Sequence, residues 1–203
     1  MEFPLLGQQV SVELANTLWF SAGRTIDALE TTGGAARWLA AVGERQLSDG
    51  STLADATLEQ GVDEQGVDEE LRAGLQRLRG AVRSLFGAHA TGGPVDAGAI
   101  EQLNRAAAAA PSWLHARLAG DHAHVVRRRP PDAAGAILAA LAEDALAVAA
   151  DAGVAARLTA CPCPGCLALF VQDDPRRRFC SPICGTRTRV ARHYARQKRG
   201  KGG

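Results

Sequence analysis

The sequence predicts a mainly α fold of the α+β class: an N-terminal helical domain with a short β-hairpin, then a small C-terminal treble-clef-like module built on cysteines. Three observations carry this prediction. Most of the first 150 residues read as helical, the period changes to alternation within 113–129, and all five cysteines of the 203-residue chain fall between 161 and 184. The expected division is a helical domain over 1–152 and a cysteine module over 153–203. A composition that is 46% apolar supplies enough material for a packed core.

Taken in order, VSVELANTLWF places apolar residues at 10, 14, 18 and 20 and predicts a helix, and AGRTIDALETTGG reads as a loop. GAARWLAAVGERQ then sets Trp38, Leu39 and Val42 at helical spacing before a stop near Gly43. The clearest amphipathic helix is 67–89, with Leu71, Leu75, Leu78, Val82 and Leu85 on one face. TGGP breaks it, and a further helix runs from Asp96 to just before Pro111. WLHARLAGDHAHVVRRR alternates on either side of AGD as a hairpin does, and the following prolines close it. Asp132 is positioned to cap a long alanine-rich helix whose buried stripe is Ile137, Leu138, Leu141, Leu146 and Val148.

The net charge of +1 conceals a division. Residues 151–203 carry eleven Lys or Arg against three Asp, whereas residues 1–150 carry twelve against nineteen Asp or Glu. A basic module on an acidic body points to nucleic acid as partner. No apolar stretch approaches the ~20 uninterrupted residues that a membrane span needs, because Glu143, Asp144 and Asp151 break the alanine-rich segments. The N-terminus lacks the basic start and apolar run of a signal peptide, so a soluble cytoplasmic protein is expected.

CPCPGC and CSPIC stand 13 residues apart, a paired spacing that reads as structural Zn²⁺ held by four thiolates in a tetrahedron. The insert LALFVQDDPRRRF suits a hairpin, and the second cluster opens onto a helix over 181–199 whose first turn supplies the last two ligands. Cys180 and Cys184 form one pair; Cys166 pairs either with Cys163, at the commoner two-residue gap, or with Cys161. So small a segment needs its metal to fold.

The stretch RLTACPCPGCLALFVQDDPRRRFCSPICGTRTRVARHYAR resembles the CGNR-type zinc finger, and VELANTLWF followed by DALETTGGAARWLAAVG resembles the start of the ABATE domain that commonly precedes it. The resemblance implies a stress-responsive transcriptional regulator with a mainly helical N-terminal domain and a zinc-dependent DNA-binding module. It departs from the family at Thr186, which stands in the asparagine place of the motif, and in the second cysteine pair, spaced by three residues where four are usual. Its register, fixed by Arg157 and Leu158 before the cluster and Leu169 and Phe170 after it, makes Cys161, Cys166, Cys180 and Cys184 the ligands, with Cys163 spare.

On the C-terminal helix, Arg189, Arg192, Arg196 and Arg199 fall on one side at i, i+3, i+7 and i+10, with His193 beside them, while Val190 and Tyr194 lie on another face that is expected to pack on the knuckle. The stripe, with Arg176, Arg177 and Arg178 from the insert, is the candidate DNA contact. Arg187 is expected to hold backbone carbonyls or a carboxylate instead. The helical domain has no P-loop, nucleophile elbow or HExxH motif. His115, His122 and His124 around the hairpin are weaker metal candidates, and Asn16, Trp19, Arg24 and Trp38 are the candidate lining of a ligand pocket. The leading reading is a zinc-dependent DNA-binding regulator whose helical domain senses a small-molecule effector or mediates homodimerisation; the alternatives are an RNA- or protein-binding module in which zinc is only structural, and an enzyme or small-molecule-binding protein acting through the helical domain.

Overall fold

A computed structural model describes residues 3–21, 23–56, 67–130 and 132–200, apart from the side chains of residues 119, 124, 195, 196 and 198–200. The elements are α1 (Val10–Ala15), β1 (Leu18–Ser21), β2 (Arg24–Asp27), α2 (Thr32–Val42), α3 (Leu53–Ala56), α4 (Glu69–Thr91) and α5 (Ala97–Ala109). They continue with β3 (Trp113–Ala119), β4 (His122–Arg128), α6 (Ala133–Ala150), α7 (Ala152–Ala155), β5 (Leu158–Ala160), β6 (Leu169–Val171) and α8 (Pro182–Gly200). The sheets are three antiparallel two-stranded ribbons, β1-β2, β3-β4 and β5-β6, set around a helical core. The fold is therefore mainly α with small β additions, as the sequence predicts.

α4 is the central helix and packs on α1, α2, α5, α6 and β5. Its start follows from Asp68, whose side chain accepts from the Leu71 N–H at 2.8 Å, and its end from Gly92, which takes the left-handed φ of 66° that stops a helix. The predicted stripe Leu71, Leu75, Leu78, Val82 and Leu85 is buried. Gly74 brings α4 close to α6: a Cβ there would stand 2.7 Å from Leu138 Cδ1. Asp96 and Asp132 cap α5 and α6 by accepting from the N–H groups of Gly98 and Gly135.

By length and composition α6 could cross a membrane, contrary to the expectation that the acidic residues interrupt every such run. In the fold it is a core helix, with Ile137, Leu141, Ala145 and Val148 buried. One of the interrupting acids is internal too: Asp144, 2% exposed, accepts from the N–H of Ser11 (2.8 Å), the N–H of Ser48 (2.7 Å) and the Ser48 hydroxyl (2.6 Å). It thus joins α6 to the start of α1 and to the loop before α3. Glu13, 1% exposed, does the same for the N-terminal segment, accepting from the N–H groups of Leu6 and Gln8 and from Arg45.

The expected helix over 10–20 ends early. Asn16 leaves the helix because its amide bonds to β6, Thr17 turns its hydroxyl back to Leu14 O, and LWFS continues as a strand paired with RTID. Apolar residues at 10, 14 and 18 fit a helix, but the aromatic run favours a strand once the cap is in place. The segment expected as a loop supplies that partner strand. Residues 57–66 lie outside the described chain.

On the side of α4 next to its apolar stripe, Arg72, Gln76, Arg79 and Arg83 recur at i, i+4, i+7 and i+11 and share a face. Arg72 and Gln76 both donate to Leu29 O, and Arg79 pairs with Asp27 across 2.8 Å. Although partial burial disfavours the Asp27 charge, hydrogen bonds from Arg79 and the Leu29 N–H hold its carboxyl below the ordinary value of 3.8.

Two predictions follow from these buried acids. Asp144→Ala leaves the Ser11 and Ser48 N–H groups without their acceptor and should cost about 2–4 kcal/mol in denaturant unfolding. Because the folded Asp27 pKa is depressed, its contribution is full above the unfolded value near 3.9 and drains as pH falls through the lower folded value. Asp27→Asn should thus be less stable at neutral pH, and this deficit should shrink between about pH 4 and pH 2 in acid-unfolding curves.

Candidate metal centre

β5 and β6 pair in the register Leu158↔Val171, Thr159↔Phe170 and Ala160↔Leu169, and the first cysteine cluster forms the tip of this ribbon. The hairpin therefore closes across the knuckle, not within LALFVQDDPRRRF. The return strand expected there is replaced by a loop in which the Asp174 side chain accepts from the Arg176 N–H and Gln172 donates to Arg177 O. At the tip, Cys161 N–H donates to Ala168 O at 2.9 Å, Cys166 N–H to Cys163 O at 2.9 Å, and Gly165 turns the chain with a φ of 75°. The second pair straddles the start of α8. Pro182 occupies the first helical position, where no N–H is needed, and the Cys184 N–H reaches the Ser181 hydroxyl at 3.4 Å.

These elements gather the sulfur atoms of Cys161, Cys166, Cys180 and Cys184 within 4.8 Å of one another. The pairs Cys166–Cys180, Cys180–Cys184 and Cys166–Cys184 stand 3.7, 3.6 and 3.8 Å apart. A tetrahedron with Zn–S bonds of about 2.3 Å has edges of about 3.8 Å, so the donor set fits zinc in number, softness and size. Crowding of the thiols also polarises them: hydrogen bonding from Cys180 lowers Cys166 to about 5, while burial leads the causes that push Cys184 up to about 12. Cys163 is equally buried, but its sulfur faces Pro164 O and is not in the group. With four thiolates the site is closed, and the zinc it holds is structural.

Around this cluster β6 alternates. Phe170 faces the cysteines, whereas Leu169 and Val171 join the core of the helical domain together with Leu158. The backbone of β6 is bonded to that domain as well. Asn16 donates to Leu169 O at 2.8 Å and accepts from Leu169 N–H at 2.9 Å, and Gln8 accepts from Val171 N–H at 2.7 Å. Arg83 donates to Ala15 O and Leu167 O at 2.7 and 3.0 Å. In the sequence Arg83 stands only as one polar-face residue of the amphipathic stretch 67–89, with no local signal of this role.

Arg177 places its guanidinium 5.0 Å from the centre of the Phe170 ring, pairs with Asp173 at 3.2 Å and donates to Cys180 O at 2.9 Å. Arg176 and Arg178 on either side are exposed. Arg187 donates to Pro164 O at 2.9 Å, the carbonyl contact expected of it. The packing side of α8 is Cys184, Gly185 and Thr188, not Val190 and Tyr194, which are 48% and 63% exposed. The reason is reach: among the described side chains of α8, those buried against the finger lie in its first two turns. From Arg189 to Tyr194, including Arg192 and His193, every side chain is exposed. The side chains of Arg196 and Arg199 lie outside the described residues.

The residues expected to line one pocket separate. Trp38 is a core residue at 1% exposure and Arg24 is exposed on β2. Trp38, Asn16 and Trp19 together border a cavity of about 10 Å³, room for one water and no ligand, but Asn16 and Trp19 also line a groove of about 730 Å³ beside the finger. His115 and His122 are exposed, and the four cysteines are the sole group of metal-competent side chains among the described residues; the side chain of His124 lies outside them.

Zinc content tests the sulfur set directly. Cys163→Ser should keep one zinc per chain, whereas Cys161→Ser should lose it together with helical circular dichroism from α8. The opposite pattern would make Cys163 the ligand.

No curated protein matches the chain at a significant level. A family model described as "Putative stress-induced transcription regulator" matches residues 8–152, and a second, for the CGNR zinc finger, matches residues 157–197. With its buried short first helix, its cysteine-tipped ribbon and the exposed helix beyond, the chain belongs to the ABATE family and ends in a CGNR zinc finger.

Proposed function

We propose that this protein is a zinc-dependent DNA-binding transcriptional regulator, in which α8 is the DNA-reading element and the helical domain responds to a small-molecule effector. The observation that carries the reading is the exposure of Arg189, Arg192 and His193 on a helix whose first turn is held by the cysteine cluster. A bare helix of ordinary diameter fits the major groove, which is about 12 Å wide. Arg189 and Arg192 share one side, and Arg196 and Arg199 continue it by spacing.

In this reading Cys161, Cys166, Cys180 and Cys184 hold the zinc, which performs no reaction and fixes the angle at which α8 leaves the ribbon. Arg176 and Arg178 add phosphate contacts from the preceding loop. Arg177 acts through its hold on Asp173, Phe170 and Cys180, positioning that loop. The eleven basic residues after position 150 supply the long-range attraction.

Selection from genomic fragments with the zinc-loaded protein should retrieve a defined motif. On that DNA, neutralising about four to six phosphates predicts a slope of roughly −4 to −5 for log affinity against log salt. Arg189→Ala or Arg192→Ala should each weaken binding about tenfold with zinc content unchanged. A flat salt dependence would remove DNA binding from the account.

A further inference from the structure

The β3-β4 ribbon has two unlike faces. Its register pairs Leu114 with Arg127, Ala116 with Val125 and Leu118 with Ala123, and because cross-strand partners share a side these six residues form one face. Leu114, Leu118 and Val125 are 67%, 86% and 54% exposed, and Ala116 and Ala123 are exposed between them. Arg127, the one charged residue of this face, is committed at the base: it pairs with Asp49 at 2.6 Å and donates to Ser112 Oγ at 2.8 Å. The opposite face carries the other cationic residues of the two strands, with His115, Arg117 and His122 exposed, and neither strand contains Asp or Glu.

A ribbon with one apolar face ordinarily turns that face toward a core. Here the apolar residues meet water along an arm of seven residues per strand, about 24 Å long. A two-stranded hairpin with both faces in water is marginal by itself and gains stability when its apolar face is covered. The cover must be apolar, of similar length and indifferent to cations, since the cations point the other way. Nucleic acid would take the cationic face and leave Leu114, Leu118 and Val125 in water. A second arm of the same kind meets each requirement. Two such faces stacked about 10 Å apart bury their apolar residues against each other, and the exposed cations of both arms end on the outside, where like charges do not meet.

We propose that the protein forms a two-fold dimer through this face, with Leu114, Ala116, Leu118, Ala123 and Val125 of one chain stacked on the same residues of a second copy. The contact is isologous, so it closes at two chains. Two faces of this size remove on the order of 1,000 Å² from water, the low end of specific interfaces, so the dimer is reversible, with a Kd on the order of 10–100 μM. The proposal goes beyond the regulator reading and does not depend on it.

The test is sedimentation equilibrium of the zinc-loaded full chain, without DNA, between about 1 and 500 μM. The mean mass should rise from one chain toward two across that range, and amide exchange at residues 113–128 should slow as the concentration rises. Leu118→Glu, at a position open to water in the single chain, should weaken association by at least about tenfold, and Val125→Thr, which keeps the β-branched shape that suits a strand, by about threefold to tenfold. Arg117→Gln, on the opposite face, should leave association unchanged, and all three variants should keep the parent's helical circular dichroism. A chain that stays monomeric throughout, association that survives Leu118→Glu, or equal loss in Arg117→Gln would each overturn the proposal. So would a monomer captured through Leu118 by phosphatidylglycerol vesicles, the outcome if a lipid surface covers the face. DNA affinity is not read in this experiment, so its failure leaves the regulator reading standing.

Discussion

The arrangement of the described chain depends on a half-buried cation. Arg83 extends from the middle of α4 and places its two terminal nitrogens on carbonyl oxygens from distant parts of the sequence, Ala15 O at the end of α1 and Leu167 O in the knuckle. Burial, followed by the neighbouring Arg79 charge, pulls its pKa down, yet a guanidinium stays ionised and its fork matches two acceptors at once. One cation thus serves two backbone acceptors and joins the end of α1 to the knuckle. The reciprocal Asn16–Leu169 bonds and the Gln8–Val171 bond extend the same junction along the edge of β6.

This junction explains how a finger with few apolar residues is oriented. β6 shares its faces between two interiors: Leu169 and Val171 belong to the helical core and Phe170 to the cysteine cluster. The ribbon is thus fixed from one side by packing and from the other by the metal-binding thiols. α8 gains its direction from that ribbon, since its described buried side chains all lie in the first two turns. From Arg189 to Tyr194 every side chain is exposed, while Arg177 and Arg187, inside the contact zone, are engaged with the finger's own backbone. The division of the arginines between holding and reaching follows from distance along one helix and one loop.

Much of this was legible beforehand where a local pattern has one physical solution. The stripe on α4, the aspartate caps of α5 and α6, the β3-β4 alternation and the clustering of thiols each follow from spacing within a few residues. Patterns with two solutions were misleading. The spacing of Val10, Leu14 and Leu18 suits a longer helix as well as a short helix and a strand, and the bond from Asn16 to a residue 153 positions away decides between them. Likewise, Trp38 could line a pocket or fill the core; the surrounding helices bury it. Val190 and Tyr194 form an apolar pair, but the finger does not extend far enough to cover them.

By itself, then, the sequence determined the helical class, most element boundaries and the presence of a four-sulfur site with a basic helix after it, because these rest on composition and on spacing along a short stretch, and its motifs carried the family resemblance. Only the tertiary structure decided which arginines are internal fasteners and where the first helix gives way to a strand. Each of these depends on residues brought together from opposite ends of the chain, where spacing along the sequence carries no information about distance in space.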